Sequence, residues 1–372
     1  MEIIHLILGK ANPQRMNGVN KVVHQLATHQ SLLGHYVQVW GITPSPEGEY
    51  PDRNYDTRLF QSLKNKFRID QHLSKAIREC PKETVFHLHG GFIPEFYHAV
   101  RLLTATGHEF VFTPHGSYNA IAMQKNHLVK SVYFPLIEKS VVSAAKLVHF
   151  LGKTEYEAMD DLLPGTNKVL IPNGQDMNEL KFIYSPLPKT KGTVFGFCGR
   201  LTAYTKGLDL MLEAFSRFVH HDGLEGELWL IGDGEDRALL EQRARELNIH
   251  ERVTFFGACF GEEKLNLIAN MDVFLHPSRN EGLPMSVLEA SALKVPCIVS
   301  EETNMASYIR EYDAGIALPA NTPWDIYRAM KTAVIEISEK KWEQKRIQAR
   351  KMVQSAFDWH RIAEKLIRVY AA

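Results

Sequence analysis

Twelve short runs of apolar, β-rich residues recur along this chain with helical stretches between them, and no other feature limits the fold as strongly. The first six are "IIHLIL", "YVQVW", "VFHLH", "FVFTPHG", "KLVHFL" and "KVLIPNG". The second six are "TVFGFCGR", "ELWLIGDG", "RVTFFG", "DVFLHPS", "PCIVS" and "GIALP". Runs that are apolar on both faces and separated by helices are buried parallel strands of βαβ units. Between the two sets lies "SPLPKTKG", Ser185 to Gly192, rich in proline and lysine and without apolar periodicity, which reads as an interdomain linker. A chain of 372 residues is long enough for two cores. The expected fold class is therefore α/β: two Rossmann-like, doubly wound parallel-sheet domains over residues 1–185 and 186–355, and a helix over 356–372 that packs back on the first. In "FDWHRIAEKLIRVYAA" the helical spacing of Trp359, Ile362, Ala363, Leu366 and Tyr370 supplies the face for that packing. Such sheets bind ligands at the carboxyl ends of their strands, so a cleft between the domains is the expected site.

Charge and cysteine content narrow the partners. Lys plus Arg and Asp plus Glu both number 43, a balance that does not mark a nucleic-acid binder. Residues Gln61 to Lys153 nevertheless carry 12 Lys/Arg against 6 Asp/Glu. Cys80, Cys198, Cys259 and Cys297 form no CxxC pair and read as reduced thiols of a cytoplasmic protein. "MEIIHLILGKANP" reads as a first strand rather than a signal peptide, and no run approaches the roughly 20 apolar residues of a membrane span.

The chemistry concentrates in "RNEGLPMSVLEASALKVP", which follows the strand "DVFLHPS". Glu281 falls in a loop at that strand's carboxyl end, and Pro284 favours a helix start. The amides of Gly282, Leu283, Met285 and Ser286 would present a positive helix end to a phosphate or a developing anion. Glu289, further along the helix, could accept hydrogen bonds from the vicinal hydroxyls of a ribose; alternatively it is a solvated surface charge. "GFCGRLTAYTKGLDLMLEAF" places Gly199 and Arg200 at a strand end, then Lys206 and Gly207 before a helix. An arginine fork and a lysine point charge so placed can hold a diphosphate. In "LWLIGDGEDRALL" the third glycine of a dinucleotide fingerprint is missing, and Asp233 and Asp236 read as a turn former and a helix cap, not as metal ligands. Phe256 and Gly257 close "RVTFFG", where an aromatic and open backbone could receive a flat base.

In the first half, Asn17 and Gly18 precede an amphipathic helix, and both residue types tolerate a positive φ, which suits a tight turn against a ligand. "FVFTPHG" brings His115 and Gly116 to a strand end. Thr154 and Glu157 have capping-box spacing and receive no catalytic role. From Tyr118 to Phe150, lysines 125, 130, 139 and 146 alternate with apolar and aromatic residues. That segment is either a face that rests on an anionic membrane or a core helix with a solvated lysine side.

Taken in order, Asn17-Gly18, "PHG" at 114–116, "IPNG" at 171–174, "GRL…KG" at 199–207, "GDG" at 232–234, the Glu281/Glu289 pair and "FDWHRIAEKL" resemble the retaining glycosyltransferases of family 4, which have the GT-B fold of two facing Rossmann-like domains. The resemblance implies a nucleoside-diphosphate sugar as donor, UDP-linked or GDP-linked. It implies that Glu281 contacts hydroxyls of the donor sugar, that Glu289 holds the ribose, that Arg200 and Lys206 bind the diphosphate, that the glycine loop abuts it and that His115 lies near the sugar's outer hydroxyls. It implies transfer with retention by attack on the leaving-group face, without a metal or other cofactor and without a protein nucleophile. The segment from Tyr118 to Phe150 further resembles members that build bacterial exopolysaccharide, capsule or O-antigen, which makes a saccharide linked to a polyprenyl diphosphate the expected acceptor and peripheral contact with the inner face of the cytoplasmic membrane the expected location. Three departures stand out: Asn17-Gly18 where two glycines are common, Lys294 in "ALKVP" where a glycine is common, and "SEETNMASYIREYDAG", where a glycine-rich loop ending in glutamate is usual and Ser307 takes the glutamate's place. A nucleotide-sugar epimerase of the same fold and a non-catalytic partner that binds a nucleotide or glycan stay open beside the transferase.

Overall fold

The computed structural model describes the chain except residues 13–17, 49, 51, 125, 181, 189–191 and 222. It forms two compact units, one of Met1–Gly174 with Trp359–Ala372, the other of Gln175–Asp358. The first contains β1 (Glu2–Leu8), β2 (Tyr36–Thr43), β3 (Asp56–Gln61), β4 (Val85–His89), β5 (Phe110–Thr113), β6 (Leu147–Phe150) and β7 (Lys168–Leu170). These pair in parallel in the order β3-β2-β1-β4-β5-β6-β7. The second contains β8 (Thr193–Cys198), β9 (Gly226–Ile231), β10 (Val253–Gly257), β11 (Val273–His276), β12 (Cys297–Val299) and β13 (Gly315–Ala317), again all parallel, in the order β10-β9-β8-β11-β12-β13. Each sheet winds outward from its first strand in both directions. The order reverses between β1 and β4 and between β8 and β11, the switch points where such sheets take ligands.

All twelve expected strands are present, and β3 is an addition. It lies at the edge of its sheet with only Phe60 fully buried, Thr57 and Leu59 half-buried and the rest exposed, a strand too short of apolar residues to register as a buried run. The units change over at Gly174/Gln175, not at 185/186. The reason is a tether: the amides of Ser185 and Leu187 donate to the Asn266 and Asn270 side chains at 2.9 and 3.0 Å, so the start of the proline-rich segment belongs to the second unit.

Residues two apart in β1 and β4 sort by polarity. Ile4, Leu6, Phe86 and Leu88 join Trp40, Phe96 and Phe112 in an apolar core. The intervening His5, His87 and His89 are buried on the other face, with His5 opposite His87 and His89 opposite Thr113 in register. That polar face meets the helices Gly18–Leu32 and Trp359–Ala371, through Gln30 of one and Tyr370 of the other. The terminal helix buries Trp359, Ile362, Ala363, Leu366 and Tyr370, the five residues of its apolar stripe. Its Trp359 ring also explains the glycine of "IPNG", since a Cβ on Gly174 would lie 2.6 Å from that ring. In the second unit Phe195, Phe197, Leu228, Leu230, Val273 and Leu275 pack on the helix Leu208–His220 through Met211, Leu212, Phe215 and Phe218. Among the described residues no helix is long and apolar enough to cross a membrane.

Candidate active site

Backbone contacts tie together the strand ends of the second unit. Gly232 has φ +133° and a Cβ there would lie 1.9 Å from the Gly199 carbonyl, while its amide donates to the Gly257 carbonyl at 2.7 Å. The loop after β8 is held by Leu201 N–H to Asp233 O at 3.0 Å and Ala203 N–H to Asp236 Oδ2 at 2.7 Å. Asp236 precedes the helix Arg237–Glu246 but makes no side-chain cap bond, so the expected cap is instead a clasp on the loop that carries Lys206. Gly207, at φ +65°, packs so closely on Pro277 that a Cβ would sit 1.9 Å from its carbonyl oxygen. That approach delivers Lys206 to the carboxyl end of β11 at the switch point.

There Lys206 Nζ donates to Glu281 Oε1, and the same oxygen accepts from His276 Nε2 at 2.9 Å. Burial acts to raise the Glu281 carboxyl, but the Lys206 charge and the His276 hydrogen bond outweigh it and bring it down to about 2. His276 lies buried with its ring nearly parallel to those of Phe197 and Phe274, and burial lowers its pKa despite Glu281, so it donates as a neutral imidazole. The Asn304 amide brackets the same loop, donating to the carbonyls of Glu281 at 3.0 Å and Gly282 at 2.9 Å. Asn304 adopts φ +60° within the segment that departs from the family pattern. A side-chain brace therefore stands there, and Ser307 falls in the helix Ala306–Tyr312 that follows.

Glu289 is 4% exposed and bonded by Lys264 Nζ at 3.0 and 2.8 Å, which overturns its reading as a solvated surface charge. Arg200 is exposed just past β8. Phe256 is half-buried with its ring edge-on to Trp229, and Gly257 has φ +77°. Leu283 and Pro284 are buried and Gly282 half-buried ahead of the helix Met285–Ala292, where the first amides have no partner within the helix. The structure thus joins Lys206 to Glu281 through a shared oxygen, and sets Glu289 apart with a lysine of its own.

In the first unit His115 holds a left-handed φ of +54°, followed by Gly116 at +82°. Glu155 fixes this turn by accepting from the Gly116 and Tyr118 amides, both at 2.9 Å. Burial raises the Glu155 carboxyl to about 7 against those two bonds. The capping box expected beside it does not form: the helix Lys153–Leu162 starts after Gly152, Thr154 donates to Asn119, and Glu157 pairs with Lys153. Gly18 opens the helix Gly18–Leu32 without a positive φ, and a Cβ there would meet nothing within 4 Å, so no tight turn demands a glycine. Asn17 lies outside the described residues.

Sequence reasoning passed over His276, Lys264, Glu155 and the histidines of β1, β4 and β6. His5, His87 and His89 place ligand atoms within 4.8 Å of one another, a spacing that could hold a metal. Both ring nitrogens of each are engaged in hydrogen bonds, which an ion would have to displace.

Known proteins add the family. The pattern described as Glycosyltransferase Family 4 matches residues 16–179, and that described as Glycosyl transferases group 1 matches residues 179–352. The chain belongs to the family 4 glycosyltransferases. The O-antigen biosynthesis glycosyltransferase WclY of Escherichia coli is 33% identical to this family member over 147 residues, 37% of the chain and 38% of WclY. The chain thus spans less than half the length of that relative. Sucrose-phosphate synthase from Thermosynechococcus elongatus superposes with a TM-score of 0.77 at 18% identity, covering 100% of this chain and 98% of that one. Anabaena HepE in complex with UDP superposes at 0.75 with 14% identity, covering 100% of both. At these identities the likeness shows the GT-B fold.

Proposed function

We propose that this chain transfers a sugar from a nucleoside diphosphate sugar, UDP-linked by preference, to a hydroxyl of a saccharide acceptor in the synthesis of a surface polysaccharide. The observation that carries the reading is the Lys206–Glu281–His276 cluster at the β8/β11 switch point. Breaking the bond between the anomeric carbon and the diphosphate builds positive charge on the sugar and negative charge on the leaving group. Lys206, exposed Arg200 and the helix end after Gly282 answer the negative charge, and the ionised Glu281, held by two donors, answers the sugar hydroxyls. The acceptor hydroxyl attacks from the face the diphosphate leaves, so configuration is retained, and its proton passes to a phosphate oxygen. No protein nucleophile or metal enters the scheme. Glu289 takes the ribose hydroxyls, with Lys264 orienting its carboxylate. The similarity to HepE, solved in complex with UDP, and to WclY, a glycosyltransferase of O-antigen biosynthesis, supports the choice of donor and pathway class.

A lipid-linked acceptor fits one surface of the first unit. Leu128, Val129, Val132 and Leu136 are 58–82% exposed on consecutive helical turns. Lys130 is turned away, its ammonium against the Ala122 carbonyl and 4.7 Å from the Phe92 ring centre, while exposed Lys139 follows Leu136 one turn on, which gives the apolar stripe a basic flank. Such a face suits peripheral seating on the cytoplasmic side of a membrane.

The test is a thermal-shift screen against UDP, GDP, ADP, dTDP, CMP and their sugars, with and without EDTA, on the protein and on Glu289→Ala, followed by transfer to a polyprenyl-diphosphate saccharide. A selective, EDTA-insensitive shift for one nucleoside diphosphate, lost in the variant, is expected. No shift with any nucleotide overturns the donor site, and isomerised donor without an acceptor replaces transfer by epimerisation.

A further inference from the structure

Eight hydrogen bonds run without a break through the buried polar face of the first sheet. His115 Nε2 meets His89 Nδ1 at 3.0 Å, His89 Nε2 meets His5 Nδ1 at 2.9 Å, and His5 Nε2 meets Gln30 Oε1 at 2.7 Å. Gln30 Nε2 meets the Tyr370 hydroxyl at 3.2 Å, and that hydroxyl meets His87 Nδ1 at 2.6 Å. His87 Nε2 meets Thr113 Oγ1 at 2.6 Å, Thr113 Oγ1 meets His149 Nδ1 at 2.8 Å, and His149 Nε2 ends on the Ile171 carbonyl at 2.7 Å.

Only one direction of donation satisfies this chain. A carbonyl can only accept, so His149 carries its proton on Nε2 and its Nδ1 accepts from Thr113. The Thr113 oxygen then accepts from His87 Nε2–H, and His87 Nδ1 accepts from the Tyr370 hydroxyl. Tyr370 accepts from the Gln30 amide, which leaves the Gln30 oxygen facing His5 Nε2–H. The same logic fixes His89 and His115 as Nε2–H tautomers. Reversing the direction would set two lone pairs, those of His149 Nε2 and the Ile171 oxygen, against each other. A second proton on His5 or His89 would set two hydrogens face to face. Burial agrees, lowering His5 and His149 to about 4, His115 to about 3, and His87 and His89 well below the usual imidazole range.

We infer that Gln30, Tyr370, Thr113 and the four buried histidines are a positioning relay that holds His115, the partly exposed end of the chain, with a proton-free Nδ1, so that it can only accept a hydrogen bond from a ligand. A hydroxyl group meets that requirement; a phosphate or carboxylate oxygen does not. The relay stands on the hydrogen-bond geometry alone, and its use against a sugar hydroxyl rests on the function proposed above.

Long-range ¹H–¹⁵N NMR of the histidine-labelled protein at pH 7 reads the tautomers directly. His5, His87, His89, His115 and His149 are all expected as Nε2–H. In Tyr370→Phe, Gln30 loses its anchor and can turn over, so His5, His89 and His115 become tautomer mixtures while His87 and His149, still tied to Ile171, do not change. An Nδ1–H tautomer at any of the five in the unmodified protein overturns the relay. So does a divalent metal that copurifies in stoichiometric amount and is lost in His5→Gln, because the ring nitrogens would then be ligands. If the variant does not fold, the spectrum of the unmodified protein still decides. For the sugar contact, Tyr370→Phe should bind the nucleotide sugar about tenfold more weakly and the nucleotide alone equally well. Shifted tautomers with unchanged sugar affinity would leave the relay standing and remove His115 from the sugar site.

Discussion

Acidification should unfold the first unit far above the pH at which most carboxylates titrate. Five of its imidazoles are neutral in the folded state, because burial lowers His5 and His149 to about 4, His115 to about 3, and His87 and His89 well below the usual imidazole range. Unfolded, each would titrate near 6.5, so below that pH the unfolded chain binds more protons and stability falls as pH falls. Between pH 7 and pH 5 each neutral imidazole removes nearly 2 kcal/mol, roughly 9 kcal/mol for the five. Glu155 works the other way, since burial raises it to about 7 and the folded state takes up its proton first. That returns about 2 kcal/mol over the same window. Glu138, also raised by burial, has the same sign. A net loss of roughly 7 kcal/mol is comparable to the 5–15 kcal/mol that holds a whole domain. At about 2–4 °C per kcal/mol for a unit of this size, the transition should move down by roughly 15–30 °C. Scanning calorimetry at pH 7 and pH 5 measures the shift, and hydrogen exchange of peptides from β1 and β4 assigns it to the first unit. A transition that stays within a few degrees would refute the claim that these histidines fold uncharged.

Three further outcomes are expected. Glu281→Gln removes the ionised carboxylate that Lys206 and His276 hold, and turnover should fall about 10²–10³-fold while UDP affinity changes little, measured by steady-state kinetics and calorimetric titration. Glu289→Ala should weaken nucleotide binding by about 10–100-fold, the worth of hydrogen bonds to a charged group, in the same titration. Gly207→Ala places a Cβ 1.9 Å from the Pro277 carbonyl at a positive φ, and should destabilise the second unit by at least about 2 kcal/mol in urea unfolding.

Which parts of this could be read from the sequence follows the range of the interactions. The buried strands were legible because each is a local apolar run, and β3 was not, because an edge strand with one buried face carries a weaker local signal. Lys206 and Glu281 stood out through motifs that are local in sequence. His276, which donates to the same Glu281 oxygen, belongs to no such motif, and Lys264, the partner of Glu289, lies 25 residues from it. Thr154 and Glu157 had the spacing of a cap, but Asn119 and Lys153 compete for them successfully. The histidine chain was the least accessible of all. Each member is a lone polar residue in an apolar strand, and only parallel register, which aligns His5 with His87 and His89 with Thr113, brings them together.

The return of the chain to its first unit at Trp359 also sets a timetable for folding. Everything the second unit needs lies between Gln175 and Asp358, so its sheet can close as a contiguous stretch while the chain is being made. The first unit begins earlier and finishes later. Until the helix Trp359–Ala371 has been synthesised, the histidine face of its sheet has no Tyr370 to link Gln30 to His87, and Gly174 has no indole against it. The unit whose chain is begun before the other is thus sealed after it, and its sheet stays half-covered during that interval.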